Sequence, residues 1–305
     1  VTAPVVAGID VGGTNTKVLL ATPDLDVLDR VDLPTPAHDG GDAIVEAAVT
    51  AVRSLLDRHR ASLLGVGVGS AGVVDPTSGT VLVTANSFTG WAGYRVTDAV
   101  TARLGVPATL DNDVNAFLLG EVATGAVAGE RDVLGMTLGT GVGGALVLGG
   151  TLFGGPHGAA GEIGHVPGFG DTPCTCGQRG HLETVAGARG MADRYADRTG
   201  RRRSTHQVAD AARAGDADAQ AVFATAGWGI ARAVLLTAGI LDVTTVVIGG
   251  GVARSWDLLA PAVTSALAAE PPVSGAAIRV AQSALGADAV ALGAAAQVRA
   301  LVPVG

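Results

Sequence analysis

The chain has 305 residues, of which 20 are basic and 28 acidic, for a formal charge of −8. That balance excludes a general binder of phosphate backbones, which relies on clustered Lys and Arg. Hydrophobic residues make up 48% and charged residues 16%, which excludes a disordered chain and, at this length, suggests about two domains of roughly 100–200 residues each.

The first apolar run, Val5–Ile9, ends at Asp10 and is followed by Gly12 and Gly13, then by β-rich runs over Lys17–Ala21 and Asp26–Leu33. Strand, glycine turn, strand, strand is the reading. Asp42–His59 has apolar residues at helical spacing (Ile44, Val45, Ala48, Val52, Leu55, Leu56). Leu64–Val68 reads as a buried strand, Asp98–Leu104 as a helix, Ala108–Leu110 as a strand and Asn115–Thr124 as a helix. The opening pattern then returns: strand Asp132–Leu138, glycine turn Gly139–Gly144, strand Ala145–Leu148. Val133–Gly155 holds 23 uncharged residues, enough to imitate a membrane span, but nine are glycine, which favours strand, turn, strand over a helix. A long helix is expected over Ala217–Leu241, a strand over Thr245–Ile248, a turn at Gly249–Gly251, and helices near Trp256–Ala268 and Ala287–Leu301. Two halves that each open with a hairpin around a Gly-Thr turn point to a duplicated α/β unit with a cleft between the copies. No basic segment followed by an apolar run opens the chain, so no signal peptide is read, and a cytoplasmic location without membrane partners is expected.

Three segments carry chemistry. In Gly8-Ile9-Asp10-Val11-Gly12-Gly13-Thr14-Asn15-Thr16-Lys17, a carboxylate at a strand end can hold Mg²⁺, and glycines bring backbone N–H groups near phosphate oxygens. The Walker A spacing is absent, and a plain glycine hairpin whose Asp caps a turn has the same letters. Leu138–Gly144 and Gly249-Gly250-Gly251 are further phosphate- or nucleotide-contact candidates. Asp111-Asn112-Asp113-Val114-Asn115 is polar enough to line a pocket and equally suited to cap a helix. The third segment is the densest. Gly161-Glu162-Ile163-Gly164-His165 precedes Cys174-Thr175-Cys176-Gly177-Gln178-Arg179-Gly180-His181-Leu182-Glu183, and His165, Cys174, Cys176 and His181 can form a tetrahedral, structural Zn²⁺ site.

Taken with the stretches GVGSAGVVD, LGTGVGGALV and VVIGGGV, these motifs resemble the ROK family (repressors, open reading frames and sugar kinases) over almost the whole chain. The resemblance implies an α/β, duplicated actin-like (ribonuclease-H-like) ATPase fold, with a small domain at 1–116 plus 290–305 and a large one at 117–289. It implies ATP-dependent phosphorylation of a hexose 6-hydroxyl, glucose foremost. Amino-sugar substrates (N-acetylglucosamine, N-acetylmannosamine, kanosamine) and a non-catalytic sugar sensor or repressor are the alternatives, and polyphosphate is not excluded as donor. In the kinases of this family the residue at Asp113 is the general base. Gly72, Asn112, Glu162, His165 and Glu183 would contact the sugar. Asp10, Gly12, Gly13, Thr14, Lys17, Thr140, Gly141, Gly250 and Gly251 would serve metal, phosphates and nucleotide. A homodimer or homotetramer is implied. Repressors of the family carry an N-terminal helix-turn-helix, whereas strand residues here begin at Val5, which favours the kinase. The sequence departs from the family in having His181 where many kinases have a third Cys, in a His165–Cys174 loop about one residue shorter, and in Ser70-Ala71-Gly72 where a Pro-Gly pair is common in glucokinases.

Overall fold

A strand that ends at Asp10, a turn loosened by two glycines and a returning run of Val and Leu close naturally as an antiparallel hairpin. The computed structural model describes residues 2–84 and 87–303 and forms this hairpin from β1 (Pro4–Val11) and β2 (Asn15–Ala21), with Asp10 opposite Lys17. The chain continues through β3 (Val27–Pro34), α1 (Gly41–His59), β4 (Ser62–Ser70), β5 (Val73–Asp75), β6 (Thr80–Val83), α2 (Val96–Leu104), β7 (Ala108–Asn112) and α3 (Asp113–Ala123). Next come β8 (Val133–Leu138), β9 (Val142–Leu148), β10 (Thr151–Leu152), α4 (Glu183–Ala186), α5 (Ala188–Thr199), α6 (Thr205–Arg213) and α7 (Ala217–Leu241). The last elements are β11 (Thr245–Gly249), α8 (Trp256–Ala269), β12 (Arg279–Gln282) and α9 (Ala289–Arg299).

The chain divides into two units. One comprises Val1–Gly129, Gly155–Gly158 and Ala284–Gly305; the other comprises Glu130–Gly154 and Ala159–Ser283. The first takes in all of α3, which runs past residue 116, and the terminal positions 1, 304 and 305 of the expected small domain lie outside the described residues. Its sheet has the order β3-β2-β1-β4-β7, with β1 antiparallel to β2 and parallel to β4, and β4 parallel to β7. The second unit repeats the scheme as β10-β9-β8-β11-β12, with β8 antiparallel to β9, and β11 parallel to both β8 and β12. The uncharged stretch that imitates a membrane span is thus β8, β9 and β10. The helix α7 is long and apolar enough to cross a membrane, yet over half of its most apolar window is buried, and it packs on α4, α5, α6 and α8.

Alternation along β1 distributes the first unit's core. Val5, Ala7, Ile9 and Val11 face Ile44, Ala48, Val52 and Leu55 of α1, whereas Val6 on the other face meets Ala291, Leu292, Ala295 and Val298 of α9. Gly8 and Gly67 lie under α9, where a Cβ would collide with the carbonyl oxygens of Ala291 and Ala294, and a Cβ at Gly293 would collide with Ala116 O of α3. The high glycine content therefore brings α9 down onto both the sheet and α3.

The structure extends several expected elements. β7 runs to Asn112, so α3 starts at Asp113 rather than Asn115, and α2 starts at Val96 rather than Asp98. The elements β5, β6, β10, α4, α5, α6 and β12 had no counterpart in the periodicity.

Candidate active site and metal cluster

In the first unit, Asp10 occupies the end of β1, with the glycine turn directly after it. The turn is braced from below: Thr35 Oγ1 donates to Gly12 O (2.7 Å), Thr16 Oγ1 lies 2.8 Å from Thr35 Oγ1, and Thr35 N donates to Thr14 O (2.9 Å). Gly13 and Thr14 remain exposed. Burial, and after it the negative charge of Asp113, pushes the Asp10 carboxyl up from 3.8 to about 7, with Lys17 pulling the other way. The Lys17 ammonium is held by Asp288 at 3.0 Å and by Asp32 at 3.3 Å, so it reaches Asp10 as a nearby charge while its hydrogen bonds go elsewhere.

The Asp111–Asn115 motif realises both of its readings. Asn112 caps α3, its Oδ1 accepting from Val114 N (2.8 Å) and Asn115 N (3.3 Å), while its Nδ2 donates to Gly72 O (2.8 Å). Asp113 is therefore the first residue of α3, at the positive end of the helix, and its Oδ1 accepts from Val114 N at 3.0 Å. Gly72 has φ +104, and a Cβ there would run into Val83 O, so this carbonyl partner of Asn112 needs a glycine. Next to it, buried Trp91 donates from Nε1 to Ser70 Oγ (3.0 Å).

In the second unit, the Gly139–Gly141 turn joins β8 to β9. Gly250, at φ +92, packs on Leu138 at its base, while Ala188 N and Arg189 N donate to Gly139 O (2.9 Å) and Thr140 O (3.2 Å). Glu183 closes against Gly141, whose missing side chain leaves room for the carboxylate. A cavity of about 530 Å³ opens beside them, lined by Thr140, Gly141, Cys174, Thr175, Glu183 and Arg189, among others. The short 3-10 turn Ile163–His165 rides on β9 because Gly164 lets its backbone approach Val142 O. There His165 points Nε2 toward Glu162 Oε2, 4.0 Å away.

His165, Cys174, Cys176 and His181 converge, their ligand atoms all lying within 4.8 Å of one another. The Nδ1 atoms of the two histidines are 3.3 Å apart, Cys174 Sγ is 3.7 Å from His165 Nδ1, and Cys176 Sγ is 3.4 Å from His181 Nδ1. Zinc–nitrogen bonds of about 2.05 Å and zinc–sulfur bonds of about 2.3 Å at tetrahedral angles give edges of roughly 3.3 Å and 3.6 Å. Donor set and spacing both fit Zn²⁺. His181 Nε2 meets Gln178 Oε1 at 3.1 Å, fixing the ring that turns Nδ1 inward. Glu183 Oε1 accepts from Cys174 Sγ (3.1 Å) and from Thr175 Oγ1 (2.7 Å), so this carboxylate links the cluster to the Gly141 turn.

Two neighbours of the cluster, and one buried carboxylate elsewhere in α3, have partners that the motifs do not name. Gln178 and Thr175 lie inside the cysteine motif and were visible there as polar neighbours. Glu121, fully buried, accepts from Ala126 N (2.8 Å), Ala284 N (3.2 Å) and Leu285 N (3.1 Å), and nothing near it in sequence announces those partners.

A family model described as the ROK family matches residues 6–300. The chain belongs to the ROK family. A glucokinase from Halalkalibacterium halodurans is 34% identical over 271 residues, covering 83% of this chain and 82% of that protein. The crystal structure of a ROK hexokinase from Thermus thermophilus matches with a TM-score of 0.83 and 30% identity, covering 96% of this chain and 97% of the other. A ROK family glucokinase from Streptomyces griseus, in complex with glucose and AMPPNP, matches with a TM-score of 0.80 and 28% identity over 95% and 98% of the two chains. The repeated mixed sheets are those of the actin-like ATPase fold.

Proposed function

We propose that this ROK protein transfers the γ-phosphoryl group of ATP to the 6-hydroxyl of a hexose, with glucose as the preferred acceptor. The observation that carries the reading is Asp113: a carboxylate at the first position of α3, held by the Asn112 cap and near enough to Asp10 to raise its pKa. The similarity to glucokinases over more than four-fifths of the chain supports the same assignment.

In this reading the sugar O6 attacks the γ-phosphorus, a new O–P bond forms, the bond to the β-γ bridging oxygen breaks, and ADP leaves. Asp113 accepts the O6 proton and later returns it to solvent. Asn112 carries two protons on Nδ2; one goes to Gly72 O and the other is available to a sugar hydroxyl. Glu162, His165 and Glu183 are further candidate sugar contacts. The Gly13–Thr14 and Thr140–Gly141 turns offer N–H and hydroxyl donors to phosphate oxygens, Gly12 N being given to Asn15 O (3.1 Å), and the Gly250–Gly251 turn packs on the nucleotide. Asp10, a hard oxygen donor among other carboxylates, suits Mg²⁺, which when bound neutralises phosphate charge. His165, Cys174, Cys176 and His181 hold a structural Zn²⁺, which when bound fixes the His165 ring and the Cys174–Glu183 segment. Exposed Trp228, Leu236 and Ile240 on α7 support self-association as a homodimer or larger oligomer.

A coupled ADP-release assay over hexoses and amino sugars tests the proposal. The expected result is the highest kcat/KM with glucose and an O6-phosphorylated product identified by NMR. Preference for an amino sugar would reassign the substrate, and no sugar-dependent ADP release would overturn the kinase reading.

A further inference from the structure

Asp111 belongs to the polar motif, yet neither capping nor substrate contact uses it. It is 3% exposed, and the sheet register sets it beside Gly69 at the end of β7. Its Oδ1 accepts from Asn112 N (2.8 Å) and from Asn115 Nδ2 (2.7 Å). Its Oδ2 accepts from Gln297 Nε2 of α9 at 2.7 Å, across 186 positions of sequence. No basic side chain is among these partners. A buried carboxylate held only by neutral donors is a costly way to fill a core, and an apolar pair would fill it better. Its partners indicate what it does: two of the three donors lie in the motif that presents Asp113, and the third lies on α9.

The helix α9 is suited to serve as a reference point. Its backbone rests on Gly8 and Gly67 of the sheet and interlocks with α3 at Gly293 and Ala116. Gln297 is itself constrained: its Oε1 is buried and without a hydrogen-bond partner among the described residues, which leaves the Asp111 contact as its polar tie. We infer that Gln297 is a positioning residue for phosphoryl transfer: through Asp111 it fixes the start of α3, and with it the Asp113 carboxylate, relative to α9. The inference rests on the kinase reading and deepens it. A base misplaced by a fraction of an ångström still leaves the sugar able to bind but slows proton removal, so the loss falls on kcat rather than on ground-state binding.

The test compares wild type, Gln297→Leu, Asp111→Asn with Gln297→Glu, and Asp113→Asn, using the full chain. Coupled ADP release gives kcat and KM, glucose titration calorimetry without ATP gives Kd, and thermal melting verifies folding. Gln297→Leu keeps the side chain's bulk and removes the donor. It is expected to lower kcat at least about tenfold while KM for ATP and Kd for glucose change less than about threefold. The double variant moves the negative charge to α9 and keeps one hydrogen bond between the positions, with the amide at 111 now donating. It is expected to recover most of the lost kcat, which a packing role alone would not produce. Gln297→Leu with kcat within about twofold of wild type, or a loss that the double variant does not recover, overturns the inference. If wild type turns over glucose and Asp113→Asn does not, either of those results sinks the Gln297 role alone. If wild type phosphorylates no sugar, the kinase reading falls and this inference with it.

Discussion

The Nδ1 atoms of His165 and His181 stand 3.3 Å apart, the edge that two imidazoles make when they share a tetrahedral metal. With two thiolates and two neutral imidazoles, a shell of these four ligands would be formally neutral around Zn²⁺. Protein purified without added metal is expected to contain about one zinc per chain by elemental analysis, given four protein ligands. His181→Ala should lose metal and weaken glucose binding together, because His165 presents its other nitrogen toward Glu162. Full zinc occupancy with an unchanged KM in that variant would remove His181 from the shell.

Replacing Asp113 by Asn keeps the shape and the cap of α3 but takes away the proposed proton acceptor. The expected outcome is a kcat lower by about 10²–10⁴-fold with glucose affinity within a few-fold, read from steady-state kinetics and calorimetry. A variant with more than a tenth of wild-type kcat would show that another group accepts the proton.

Asp10 yields a prediction about stability. Its carboxyl is raised from 3.8 to about 7, so the folded state holds its proton to higher pH than the unfolded chain does. As pH rises through that window the unfolded state loses its proton first, and stability falls, by up to about 4 kcal/mol for a shift of some three units. Asp10→Asn should therefore melt higher than wild type at pH 8 in metal-free buffer, and no higher near pH 4, while losing activity. Equal melting temperatures at pH 8 would mean that the charge is already compensated.

Gly67→Val puts a branched side chain where α9 carries the Ala294 carbonyl. Overpacking a core typically costs about 1–3 kcal/mol, and here backbone must move, so a loss at the upper end or beyond is expected from denaturant unfolding. A variant as stable as wild type would mean that α9 can lift off the sheet without cost.

Much of this architecture was legible because the same signal occurs twice. An apolar run, a Gly-Thr turn and a second apolar run mark β1–β2 and β8–β9, and the long apolar stretch of α7 reads directly. Other elements escaped for physical reasons. The strand β12 is Arg279–Gln282, a four-residue edge strand with no buried face to impose alternation. The helix α6 is nine residues long, and its signals are the Ser204–Gln207 capping box and a short apolar stripe of Val208, Ala211 and Ala212, small residues whose periodicity is weak. At the site, Asp10, Asn112, Asp113 and the four Cys/His positions stood out because their chemistry is local. The Gln297–Asp111 tie did not, since its partners lie 186 residues apart.

The place of α9 after all the strands of the second unit has a consequence for biosynthesis. The sheet of the first unit is complete in strands once β7 has been made, but the face that bears Val6, Gly8, Leu19 and Gly67 is covered by a helix translated some 180 residues later. A nascent chain emerging at about 5–20 residues per second must carry that half-covered sheet for roughly ten seconds or more while the second unit is made. A helix made after the whole second unit thus completes the first unit begun, and a chain ended before residue 289 would leave an apolar sheet face open to self-association.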